Sequence, residues 1–300
     1  MTVAATVEYE GVNGNWFTLS GPGMGEQGAH LGTEVDGLGD APVKTIHNSH
    51  AFQTGSTYGG KRNLQRDLVF GVWITDENGE SWESNDSEWR KAWSYDREGK
   101  LWVTTETSRR FLKVRLGEQP QIQMEHDPRL IGSQKVVMTC VANDPWWYEP
   151  DVTATWIAPS DTSGGSTVTG TVSVSNPTDV PIWLKWVIQA PGKPTLPDFS
   201  FGDDRYERAT VDAARQVVMP TLQAGEHILV DTDEEAINGQ VNSSTDTAVY
   251  MRMNGVTFCY PVPPYTPATS LPVAMSKAPA GVGIQVRQPR PWSRPWGLQD

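Results

Sequence analysis

Apolar and polar residues alternate in short runs along most of the chain, and proline and glycine interrupt the runs at close intervals. This period-two pattern predicts strands joined by turns. Before Pro150 the predicted strands are Val3–Tyr9, Trp16–Ser20, Val43–His47, Leu68–Thr75, Leu101–Glu106, Arg109–Leu116 and Ser133–Ala142. In Leu68–Thr75, Phe70, Val72 and Ile74 share one face while Val69 and Trp73 share the other, so the strand reads as buried on both sides. After Pro150 the runs Val168–Ser175, Pro181–Gln189, Gln216–Met219, His227–Asp231, Val249–Met253, Thr257–Tyr260 and Gly283–Arg287 predict a second set. One segment has a helical period. From Asp86 to about Glu98, Trp89 and Trp93 stand i, i+4 with Ala92 beside them, Asn85 is placed to cap, Glu88 follows three residues later, and Gly99 supplies a stop.

The pattern predicts a mostly β chain of two β-sandwich-like domains. The first, residues 1–150, carries one helix (about 86–98); the second covers 151–288; a Pro-, Arg- and Trp-rich stretch over 289–300 reads as an extended arm. A length of 300 residues suits two domains.

Charge narrows the function. With 36 acidic and 24 basic residues the formal net charge is −12, which argues against a surface built to grip nucleic acid. The 13 tryptophans point to packing, interfaces or stacking on a flat ligand. Cys140 and Cys259 read as two buried free thiols in strands, with a disulfide as the alternative, and no Cys/His metal framework accompanies them. The first residues lack the basic n-region of a signal peptide, and no run is long enough for a membrane span, so a soluble chain made in the cytosol is expected.

Several motifs of chemistry fail on their neighbours. Gly23, Gly25 and Gly28 spell GxGxxG, but Ala29–Val35 alternates like a strand where a dinucleotide site needs a helix. Gly55, Gly60 and Lys61 resemble a P-loop, yet Arg62 stands where Ser or Thr must hold magnesium. Asp231, Asp233 and Glu235 begin like a calcium loop, but Ala236 and Asn242 occupy the positions of the turn glycine and the bidentate glutamate. His47 and His50 are i, i+3 and would point to opposite faces of a strand. No enzyme, cofactor or metal is therefore expected. The densest basic group is Arg109, Lys113 and Arg115 on one strand face, with Arg110 at the strand start. It reads either as a solvated face or as a contact for the acidic surface of an adjacent copy.

Four stretches resemble one family. The first is the helix-to-strand unit Glu88–Val103 with the strands Phe111–Leu116 and Val136–Ala142, ending in Asn143, Asp144, Pro145, Trp146, Trp147 and Tyr148. The second is Val172–Asn176 followed by Asp179–Trp183; the third is Leu222–Thr232 with Gly225 and Glu226 in its turn; the fourth is Pro263–Pro267 followed by Val282–Arg287. Together they resemble the distal tail protein (Dit) family of phages with long non-contractile tails (siphoviruses). Pro177-Thr178 stands where the family has a glycine step after Asn176, Tyr265 where it has a glycine, and Ala268 where it has an asparagine. The high tryptophan content and acidity also look like phages of actinobacterial hosts.

The resemblance implies a structural, non-enzymatic minor tail protein of the bacteriophage virion, assembled in the host cytoplasm and located at the tail tip. It implies a homo-hexameric ring joining the tail tube protein to the tail-associated hub protein and receptor-binding apparatus. The tape measure protein would occupy the lumen, and DNA would pass later without specific binding or any membrane role. The first domain would make the ring, Asp144, Pro145, Trp146, Trp147 and Tyr148 would mark the domain junction, and the second domain would be galectin-like. Arg109, Arg110, Lys113 and Arg115 are the candidate inter-subunit contacts. The alternative is a carbohydrate-binding module for the host cell wall, with Trp183, Trp186, Trp292 and Trp296 as stacking residues.

Overall fold

The structure, a computed structural model, describes residues 5–124 and 126–299. Val3 and Ala4 of the first expected strand, and Asp300 of the expected arm, lie outside the described residues. The chain is mostly β and divides into two compact units, one built from the chain up to Glu149 together with Trp292–Leu298, the other from Pro150–Pro291.

The first unit contains strands β1 (Thr6–Glu10), β2 (Trp16–Ser20), β3 (Ala29–Asp36), β4 (Val43–Asn48), β5 (Thr57–Asn63) and β6 (Arg66–Thr75). Helix α1 (Trp82–Lys91), β7 (Gly99–Thr104), β8 (Arg109–Leu116), β9 (Gln121–Gln123), the short α2 (Pro128–Ile131) and β10 (Ser133–Ala142) follow, and β11 (Trp147–Ile157) starts in this unit. One antiparallel ladder runs β2-β1-β7-β8 and meets β11 where Tyr148 pairs with Phe111. A second runs β3-β6-β10-β9. The inward-facing residues of β6, β8 and β10 recur with period two, so Leu68, Phe70, Val72, Leu112, Val114, Val136 and Met138 enter one core.

That core is organised by aromatic rings. Tyr9 stacks on Trp93 at a centroid distance of 3.8 Å and donates its hydroxyl proton to the Ala92 carbonyl at 3.0 Å. Trp89 meets Phe17 edge-on at 5.0 Å. The helix that delivers Trp89 starts earlier and stops earlier than its sequence suggests. Ser81, not Asn85, is the N-cap, accepting from the Ser84 amide at 3.2 Å, and Trp82 begins the apolar stripe. Asn85 instead lies buried inside the helix, donating to the Thr75 carbonyl at 2.7 Å and to Asn78 at 2.8 Å. Gly99 does not end the helix; it opens β7, where a Cβ would overlap the Tyr9 hydroxyl and ring. Among the described residues α2 is a second, four-residue helix that the pattern did not predict.

The second unit contains the rest of β11, then β12 (Thr167–Asn176), β13 (Lys185–Ile188), β14 (Lys193–Pro197), β15 (Gln216–Val218), β16 (Ile228–Asp231), β17 (Val241–Ser243), β18 (Thr266–Ser276) and β19 (Gly283–Trp292). Two sheets, β12-β18-β14-β15 and β17-β16-β13-β19-β11, contribute to a core of Trp186, Ile188, Val230, Phe258, Val273, Met275 and Ile284. β19 extends to Trp292, so residues 289–292 are strand where an arm is expected, and the stretch from Trp292 to Leu298 belongs to the first unit.

Two expected strands of this unit are not strands. Val249–Met253 is a 3-10 helix: Val249 and Met253 are buried while Tyr250 and Met251 are exposed, which is helical rather than alternating burial. Thr257–Tyr260 belongs to no strand; the buried Asp198 carboxylate takes the amides of Cys259 (3.0 Å) and Tyr260 (3.2 Å) in place of a neighbouring strand. The turns that depart from the family pattern find other support. Asn176, buried, donates to the carbonyls of Val180, Val262 and Pro263 at 2.9–3.1 Å, and the Thr178 hydroxyl returns to its Oδ1 at 2.7 Å. Tyr265 holds φ at 54°, the left-handed conformation that a glycine adopts without strain.

Two stability outcomes follow. Asn85→Ala removes the donor to the Thr75 carbonyl and should cost about 1–3 kcal/mol, read as a lower urea midpoint. In the second unit, the buried Glu226 carboxylate is bonded to Arg252, to the Thr247 hydroxyl and to the Gln223 amide at 2.9 Å. The Arg252 guanidinium, foremost among these, holds its pKa down at about 2 against burial that opposes ionisation. The folded state therefore binds this proton more weakly than the unfolded chain, so the contribution is whole above the ordinary glutamate pKa and fades as pH falls toward 2. Acid titration of thermal stability should show this loss, and Glu226→Gln should flatten that part of the profile at a neutral-pH cost of about 1–2 kcal/mol, discounted because Arg252 is partly exposed.

Candidate assembly interface

Strand β8 carries the basic group singled out by sequence, and alternation divides it. Arg110 has the same parity as Leu112, Val114 and Leu116 and points inward with them. Its guanidinium is fully buried, donates to Glu149 and to the carbonyls of Arg294 and Gly297, all at 3.0 Å, and lies 3.7 Å over the Trp292 ring. Arg110 is thus a correction: it braces the first unit's own interior and has no surface to offer a second subunit. Arg109, Lys113 and Arg115 take the outer face, and two of the three find carboxylates in their own unit. Arg109 reaches Glu8 at 3.6 Å and lies 4.7 Å over Trp102; Arg115 reaches Glu98 at 2.8 Å. Lys113 stands opposite Lys100 across the ladder and, among the described residues, forms no ion pair.

The outer face of this sheet holds a feature the sequence reading missed. Trp16, Trp102, Phe111 and Tyr148 form a row across β2, β7, β8 and β11, with successive centroids 4.8–6.0 Å apart. Lys100 and the Trp102 indole N–H both donate to Glu10, at 3.1 and 3.0 Å. Cross-strand register in the ladder β1-β7-β8 was the available signal, because it places Glu8, Trp102 and Phe111 side by side.

The Asp144–Tyr148 segment turns the chain into β11. Asp144 accepts from the Trp146 amide at 3.3 Å and from the Tyr148 hydroxyl at 2.7 Å, while Trp147 is buried in the first core. The Pro145 carbonyl accepts two bonds, at 2.9 and 3.0 Å, from Arg66, a fully buried residue that no sequence motif singled out. Arg66 also donates to the carbonyls of Gly37, Gly39 and Ser293 at 2.7–3.0 Å. Burial lowers its pKa to about 10, which leaves it charged at neutral pH.

The carbohydrate candidates divide as well. Trp186 and Trp292 are core residues of the second and first unit, with no ring face open to a sugar, and this corrects their assignment. Trp183 is half-buried and Trp296 is 42 % exposed.

Gly23, Gly25 and Gly28 all adopt positive φ in turns that lead into β3, so no helix N-terminus awaits a phosphate. Asp231 is bonded to Lys185 at 2.8 Å. Among the described residues no group of three or more His, Cys, Asp or Glu side chains is placed to hold a metal. Both cysteines are free thiols; Cys140 is buried, which pushes its thiol well above the usual range, and Cys259 is only half-buried. Cys259 forms part of the lining of a cleft of about 580 Å³ in the second unit with Val241, Tyr250, Met251 and Phe258, where its sulfur meets the Thr257 carbonyl (3.7 Å) and hydroxyl (3.9 Å).

No protein-family model matches the chain. Curated relatives do: the minor tail proteins Gp27 of Mycobacterium phage L5 and Mycobacterium phage D29 are 34 % and 35 % identical, with all of this chain and all of each relative covered. Among solved structures, the Dit (gp 19.1) protein of phage SPP1 superposes with a TM-score of 0.56 over 95 % of this chain and 98 % of that one, at 12 % identity. A chain of the phage p2 baseplate in its activated, strontium-bound conformation gives 0.50 over 95 % and 98 %, at 10 % identity. These two likenesses establish the fold. Together with the full-length relatives, they place the chain in the family of mycobacteriophage Gp27 minor tail proteins, with the fold of the distal tail proteins.

Proposed function

We propose that the chain forms a homo-hexameric ring at the distal end of a long non-contractile phage tail, joining the tail tube to the tail-tip hub that carries the receptor-binding apparatus. The observation that carries this reading is the full-length match to minor tail proteins in a chain with the Dit fold. The first unit makes the ring, and the second, read as galectin-like, projects from it. The tape measure protein lies in the bore until DNA passes. The assembly forms in the cytoplasm of the host, read as an actinobacterium in keeping with the Mycobacterium phages of its relatives.

Physical features support the reading. A closed ring of identical chains uses two different complementary patches per copy. A bore that releases DNA benefits from few cations, and the net charge of −12 leaves few to spare. In this reading Arg109, Lys113 and Arg115 stand on outer or contact faces and not on the bore. Nothing in it requires catalysis.

Mass photometry of the purified full chain is expected to show a particle of about 200 kDa, six copies of 33.1 kDa. Cryo-electron microscopy of virions should place it between the last tube ring and the tip. A chain that stays monomeric at all concentrations and is missing from the tail tip would end this reading.

A further inference from the structure

We propose that the β4–β5 hairpin of one copy is the cover for the outer face of the β3-β6-β10 sheet in a second copy of this chain, an inference that rests on the ring reading above. The hairpin lies in the first unit between β3 and β6 and, among the described residues, pairs only within itself. Every side chain of both strands is exposed, including Val43, Ile46 and Tyr58. A two-stranded hairpin without packing is marginal in water, so this one is built for a surface it does not find within its own chain.

Its charge says what kind of surface. From Ala41 through Gln65 there is no carboxylate, while Lys44, Lys61 and Arg62 are present, in a chain whose net charge is −12. Lys44 sits directly opposite Arg62 in the ladder, a like-charge pair that opposes the hairpin's own formation. Among the described residues none of the three cations is in an ion pair.

The sheet face offers the complement. Strand β6 has the two-sided apolar pattern of a buried strand, yet only one side is covered: Phe70, Val72 and Ile74 are in the core, while Val69 and Trp73 are 40 % and 38 % exposed. Val137 and Val141 of β10 share that outer face. Asp67 lies on it two residues before Val69, and Asp36 pairs directly with Val69; both carboxylates are exposed and without an ion pair among the described residues. Lys135, the cation on this face, is already bonded to Glu34 at 3.0 Å. An apolar centre flanked by carboxylates that hold no ion pair thus meets an apolar hairpin flanked by cations that hold none either. The two patches differ, so the contact is head-to-tail and repeats around a ring.

The test is a charge swap read by mass photometry on the full chain. Lys44→Glu with Arg62→Glu should lower ring affinity roughly tenfold or more and release single chains. Adding Asp36→Lys and Asp67→Lys should restore the ring. Val69→Glu, at an exposed position, should also dissociate it, with the circular dichroism spectrum of the folded chain unchanged in every variant. Rings that persist in the hairpin variant, or a loss that the swap does not restore while Val69→Glu leaves the ring intact, would overturn the assignment. A hairpin variant that keeps its ring but drops out of virions would give the hairpin to a different tail protein, which also overturns it. A wild-type chain that forms no ring at all would instead strike the ring reading itself.

Discussion

Two buried guanidinium groups hold the first unit together, and the chemistry of that arrangement constrains the rest of it. Arg66 is satisfied by four backbone carbonyls, from Gly37, Gly39, Pro145 and Ser293. Arg110 is satisfied by Glu149 and the carbonyls of Arg294 and Gly297, with the Trp292 ring beneath it. A buried cation without partners is costly, so each group demands that loops far apart in sequence present oxygens at one point. The planar fork of arginine makes this feasible, because its donors reach several acceptors at fixed angles where a lysine would reach fewer. The segment 292–298 is thereby bound to β6, 227 residues earlier, and to β8, 184 and 187 residues earlier.

Much of the strand layout was legible because burial on one face imposes period two. The bounds of β2, β8 and β10 coincide with their hydrophobic runs. What the runs could not show is who satisfies a polar group. Asn85 looked like a cap because it preceded two tryptophans, whereas the stripe begins at Trp82 and Ser81 accepts the first-turn amide. Thr257–Tyr260 looked like a strand because nothing local announces that Asp198, some sixty residues away, takes its amides. Val249–Met253 has apolar residues at nearly every position, which hides the difference between period two and i, i+4.

The candidate surface was legible by the same rule where it was applied strictly. Counting from Leu112, parity alone puts Arg110 inside and Arg109, Lys113 and Arg115 outside. Composition cannot distinguish a tryptophan that anchors a core, such as Trp186, from one on an outer face, such as Trp102, because both serve strands equally well. The acidic balance is likewise an average: it conceals a run from Ala41 to Gln65 without a carboxylate.

The path of the chain has a consequence for synthesis. Residues 150–291 of the second unit are inserted between residue 149 and residue 292 of the first, so the ribosome makes them before the stretch that supplies the Trp292 ring and the Ser293, Arg294 and Gly297 carbonyls. Until then Arg66 and Arg110 lack part of their shells, and the early strands wait in an incomplete state. A nascent or prematurely terminated chain therefore lacks oxygens that its two buried guanidinium groups require, and its first unit is finished only when the last stretch arrives.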